Sequence, residues 1–71
     1  MKGEIQMTIK RNASYIKFVA AVRTNASEVG DVMEAWRDDY GWHTRKEGSE
    51  EVFGVSAVML RTIGGEVLEM R

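Results

Sequence analysis

At 71 residues and 44% hydrophobic, the chain is long enough for one domain spanning residues 1–71, with a minimal core, because so short a chain buries only about two-thirds of its unfolded surface. It has no cysteine and a single histidine, which excludes a disulfide framework, a thiolate nucleophile and a cysteine-based zinc site. The formal charge of −1 hides an asymmetry: residues 1–25 carry Lys2, Lys10, Arg11, Lys17 and Arg23 against Glu4 alone, whereas residues 26–71 carry ten acids against five bases. Charge complementarity within one small domain explains this split. A basic surface facing an acidic partner is the functional alternative.

Residues 4–10, EIQMTIK, alternate Ile5, Met7 and Ile9 with polar neighbours and predict a half-buried strand. Asn12 to Asn25 fits two elements. As a helix it has Asn12 as cap and Tyr15, Phe18, Val19 and Val22 on one stripe. As a strand it places Ile16, Phe18, Ala20 and Val22 inward. The helix is preferred, because a strand here would show apolar residues on both faces of a very small sheet. Ser27 to Arg37 conflicts with that choice. Asn25 with Glu28 resembles a capping box, and Val29, Val32, Met33 and Trp36 form a helical stripe. Yet Gly30 would weaken such a helix by about 1 kcal/mol, and a helix over 13–25 asks for a strand at 30–36.

Asp38-Asp39-Tyr40-Gly41 is a turn signal, and Trp42 to Arg45 fits a short strand. Ser49 fits a helix N-cap, with Glu50 and Glu51 in the first turn and Val52, Val55 and Met59 along one stripe. Gly64-Gly65 ends that element, and Glu66 to Met70 predicts a closing strand. A hairpin of Val55 to Thr62 with Glu66 to Met70 is the rival. The resulting fold class is α+β, a small two-layer open-faced sandwich in the order βαββαβ, with ββαββ as the alternative.

With that element order the chain resembles the HPr family, the small phosphocarrier proteins of the bacterial sugar phosphotransferase system and their regulatory relatives. Lys17-Phe18-Val19 is similar to a triplet in the family's first helix. Glu51-Val52-Phe53-Gly54-Val55 is similar to the Ser-Ile-Met-Gly-Val segment that opens its second helix, and Gly64-Gly65 with Val67 and Met70 is similar to its fourth strand. A carrier of this family takes the phosphoryl group on a histidine in a pattern like His-Ala-Arg-Pro, where this chain reads Arg11-Asn12-Ala13-Ser14. Arginine stays protonated and cannot be that nucleophile, so the resemblance implies a degenerate, non-catalytic member. The regulatory serine falls on Glu51, whose carboxylate is already explained as a helix-start residue.

No set of side chains in the sequence assembles an active site, so no enzyme, cofactor or metal is expected. His43 has neither a nucleophile nor a ligand partner at useful spacing, and Asp38-Asp39 reads as a turn. The expected function is therefore that of a regulatory or adaptor domain binding a protein partner through Arg11, Lys17, Glu51, Val52, Phe53 and Val55. Tyr40 and Trp42 join them as residue types common at binding hot spots. The alternative is a small nucleic-acid-binding protein using Lys10, Arg11, Lys17 and Arg23 with the loop of Tyr40, Trp42, Arg45 and Lys46, although Asp38, Asp39, Glu47, Glu50 and Glu51 flank it with like charge to phosphate. No apolar run approaches the length of a membrane span, and MKGEIQMTIK lacks a signal-peptide core, so a cytoplasmic protein off the membrane is expected.

Overall fold

A computed structural model describes residues 7–71. Among these described residues five strands and one short helix follow in the order β1 (Tyr15–Ala20), β2 (Val32–Asp38), β3 (Gly41–Lys46), β4 (Phe53–Val55), α1 (Ala57–Ile63) and β5 (Gly64–Met70). The strands form one sheet of order β4-β3-β2-β1-β5, with every neighbouring pair antiparallel. β1 to β4 thus form a meander, and α1 carries the chain back so that β5 pairs with the far side of β1. This corrects the expected βαββαβ sandwich: the molecule is mostly antiparallel sheet, and the fold implied by the HPr resemblance is not the fold of this chain. The alternative ββαββ arrangement is roughly compatible, although the single helix lies between β4 and β5.

Each departure has a local cause. Residues 15–20 are a strand because Ile16, Phe18 and Ala20 all point into the core, while the outward Tyr15, Lys17 and Val19 find cross-strand neighbours. In the 24–31 segment the capping box does not form. Thr24 and Ser27 exchange backbone hydrogen bonds, the Ala26 N–H donates to Thr24 Oγ1, and Glu28 pairs with Arg23. Gly30 then takes a φ of 95°, which a helix cannot accommodate and glycine adopts readily, and leads into β2. The strand predicted at 30–36 is observed at 32–38. Ser49 caps no helix; its hydroxyl accepts from the Glu51 N–H, and the chain stays extended through Gly54, whose missing side chain disfavours helix. Helix α1 starts later, at Ser56, whose Oγ accepts from the Met59 N–H at 3.0 Å.

The turn at Asp38-Asp39-Tyr40-Gly41 forms as expected, with Asp38 opposite Gly41 and Gly41 at a φ of 109°. The closing strand also forms, beginning at Gly64 rather than Glu66. Both of its first glycines are required by close packing. A methyl group on Gly64 would collide with Met7 Cε, and one on Gly65 would sit 2.9 Å from the Val19 carbonyl oxygen. The strand expected over 4–10 lies outside the described residues as far as Gln6, and Met7 to Lys10 run without regular structure. Met7 is nevertheless buried, and Ile9 packs on the core.

The core lies on one face of the sheet. Ile16, Phe18, Ala20, Met33, Ala35 and Trp42 supply that face, and Leu60, Ile63 and Met7 cover it. The opposite face carries Tyr15, Lys17, Glu34, Trp36, His43 and Arg45, all half-buried.

Candidate functional site

The opposite face, uncovered among the described residues, is built by cross-strand register. Tyr15 lies opposite Trp36, and Trp36 opposite His43; one pair along, Lys17 faces Glu34, which faces Arg45. Glu34 is the hub. Its Oε2 accepts from Tyr15 Oη at 2.7 Å and its Oε1 from Arg45 Nε at 3.0 Å. The Tyr15 hydrogen bond, together with Arg45, holds the Glu34 carboxyl below its usual range despite partial burial. Partial desolvation and the bond to Glu34 push the Tyr15 phenol up. Lys17 is raised by its 2.7 Å ion pair with Glu47. The ring faces are occupied as well: Arg71 stacks over Tyr15 at 4.4 Å, Arg45 over Trp36 at 5.8 Å, and His43 stacks on Trp36. His43 Nε2 also meets Asp38 Oδ1 at 3.0 Å, the main reason the Asp38 carboxyl is lowered. Val52 closes a shallow cleft over Tyr15, Glu34, Trp36 and Arg45. This face is internally satisfied, with its acids, bases and rings already matched to one another.

The core side of β4 is different. There an apolar cleft of about 240 Å³ is lined by all of β4, by Met33, Thr44, Met59 and Ile63, and by Thr24 to Ala26. That is less than the roughly 300–1,000 Å³ of a small-molecule site and suits one or two apolar side chains. Met59, on its rim, is 51% exposed, although its neighbour Leu60 is fully buried. An exposed methionine beside an apolar cleft is an adaptable contact surface.

The expected binding residues divide among separate places. Phe53 and Val55 line the apolar cleft, Val52 lines the cleft on the other face, and Glu51 is exposed just before β4. Lys17 belongs to the uncovered face. Arg11 lies in an exposed turn, and the element that follows it is strand β1 and not a helix, so the helix-end role expected for it is corrected. Tyr40 is 93% exposed at the β2–β3 turn, while Trp42 is only 8% exposed, in the core, with Arg37 stacked on its ring. Tyr40 and Trp42 therefore do not form one aromatic loop: the two positions flanking Gly41 at the hairpin turn lead to solvent and to the core. Sequence reading missed Glu34 and Trp36 on the outer face and Met33, Met59 and Ile63 in the cleft. Period-two alternation over 32–38 was the available signal for the first pair. The cleft lining converges from distant elements and had none.

Comparison with known proteins finds no matching family model, no similar curated protein and no similar solved structure. Among the described residues no group of three His, Asp or Glu side chains is placed to hold a metal ion, and no helix is long and apolar enough to cross a membrane.

Proposed function

We propose that this chain is a non-catalytic protein-binding domain whose contact surface is β4 and the apolar cleft along it. The observation that carries this reading is the convergence of Phe53, Val55 and the exposed Met59 on an apolar cleft sized for side chains. Four of the residues expected from sequence to bind a partner, Glu51, Val52, Phe53 and Val55, lie on β4 or immediately before it. The regulatory or adaptor role belongs to the same proposal, without the HPr-like frame. A reducing, cytosolic setting fits the absence of cysteine.

The nucleic-acid alternative has less support. Lys17, Arg45 and Lys46 are within ion-pair distance of Glu47, Glu34 and Asp31, so a phosphate backbone would have to displace those carboxylates. The test is selection of binders from a displayed library of short peptides, with each binder measured again on Met59→Glu. Binding that collapses on this exposed substitution while the circular dichroism spectrum is unchanged supports the reading. Peptides that bind Met59→Glu as tightly as the natural chain, or a salt-sensitive gel shift with single-stranded nucleic acid, would overturn it.

A further inference from the structure

The hydrogen-bond register of the sheet determines which backbone groups of β4 are unused among the described residues. The Glu47 N–H donates to the Val32 carbonyl at 2.9 Å, so Val32, Glu34 and Trp36 direct their backbone groups toward β3. Along β3, Gly41, His43 and Arg45 return those bonds, and strict alternation turns Trp42 and Thr44 toward β4. Trp42 lies opposite Val55 and Thr44 opposite Phe53. Phe53 and Val55 are therefore paired with β3, and the N–H and C=O of Gly54 point away from the sheet at its outer edge. Open space surrounds this position: a methyl group built on Gly54 meets nothing within 4 Å.

Among the described residues the sheet has a second edge, β5, which is protected by familiar means. Its pairing with β1 has two register shifts, and it carries exposed Glu66 and Glu69; bulges and edge charges both discourage strand addition. β4 shows no register shift, carries no charge and runs beside the apolar cleft. Immediately before it stand Glu50 and Glu51, both exposed and, among the described residues, matched by no base.

We propose that β4 is a docking edge to which an extended segment of a partner protein adds as a further strand. That segment exchanges backbone hydrogen bonds with Gly54, sets an apolar side chain into the cleft beside Phe53, Val55 and Met59, and places a lysine or arginine against Glu50 and Glu51. Main-chain pairing supplies the affinity of such strand addition, and pockets for alternate side chains supply its specificity. The acids select the partner's chemistry, because the uncovered face has its own charges already matched and β4's approach does not. This inference rests on the protein-binding reading above and adds the mode of binding and the character of the partner.

The experiment uses the full chain and the displayed short-peptide library. Enriched peptides are expected to alternate apolar residues and to carry a base at the end that lies beside Glu50. Gly54→Pro removes the outward N–H without touching a sheet bond, and proline is tolerated on edge strands; it should weaken binding about tenfold, the value of one hydrogen bond. Gly54→Ala keeps the N–H and has room, so its binding should stay within about twofold. N-methylation of the peptide residue opposite Gly54 removes the companion bond, from the partner's N–H to the Gly54 carbonyl, and needs no fold-altering variant. Replacing Glu50 and Glu51 by Gln should reduce the salt dependence. Peptides that lose binding on Met59→Glu yet are indifferent to Gly54→Pro and to N-methylation would overturn strand addition while leaving the protein-binding reading intact. Acidic consensus peptides would overturn the proposed partner chemistry. Sedimentation showing a dimer of this chain that Gly54→Pro dissolves would make a second copy the occupant and overturn the partner segment.

Discussion

Replacing Glu34 by Ala removes one side chain and two interactions of different worth. Tyr15 Oη donates to the carboxylate at 2.7 Å, and Arg45 Nε at 3.0 Å. A hydrogen bond to a charged group contributes about 1.5–3 kcal/mol, and the lower end applies because this face is only half-buried. The Arg45 pair adds about 0.5 kcal/mol, since its side chain is 39% exposed and surface ion pairs are worth little. Glu34→Ala should therefore cost about 2 kcal/mol, a fall in Tm of roughly 10 °C for a domain of this size. Glu34→Gln keeps an acceptor for Tyr15 but no charge, and should cost about half as much. The folded carboxyl is held below its unfolded value. Its contribution is thus complete above about pH 4.3, the ordinary glutamate value, and fades as pH falls through the depressed folded value. Urea unfolding followed by circular dichroism across that window measures it. A loss below about 0.5 kcal/mol for Glu34→Ala, or a gap between the natural chain and Glu34→Gln that does not narrow in acid, would refute the hub role.

Gly65→Ala should destabilise the domain by about 1–3 kcal/mol, because its methyl would press on the Val19 carbonyl oxygen, whereas Gly54→Ala should leave stability within about 0.5 kcal/mol; thermal melts of the two separate close packing from conformational preference. Ser56→Ala removes the cap on α1 and should cost about 1 kcal/mol, read by denaturant unfolding, with faster amide exchange at Met59. Trp42→Ala should cost about 3–5 kcal/mol while Tyr40→Ala leaves the melt unchanged, in keeping with their opposite burial. Tyr15→Phe removes a phenol whose pKa is raised on folding, so the stability it supplies is present below about pH 10 and lost as pH rises through the folded value; the two proteins should converge in alkali.

The expected βαββαβ order failed where local patterns allowed two answers. Lys17-Phe18-Val19 fits a helix stripe or a strand equally well, and only the pairing of Phe18 with Met33 and Val67 makes it strand. The preference for helix assumed that a small sheet could not use apolar residues on both faces. Tyr15 and Val19 do lie on the outer face, where Arg71 stacks over the Tyr15 ring. Likewise the stripe from Val52 to Met59 was real as spacing, but Gly54 and pairing with β3 keep its first part extended, so Val52 and Val55 serve opposite faces instead of one helix side.

By itself the sequence determined the pieces that local chemistry controls. The 38–41 turn follows from its aspartates and Gly41, and the strand after it from its alternation. The closing strand forms past Ile63, where paired glycines end the helix. The tertiary structure decided what depends on distant residues meeting. It made 15–20 and 32–38 strands by pairing them, put Trp42 in the core and Tyr40 in solvent, and assembled the cleft at β4 from five separate parts of the chain. The physical reason is that a cleft and a free edge are properties of how elements stack and where the sheet stops, and neither has a period that a single stretch can carry.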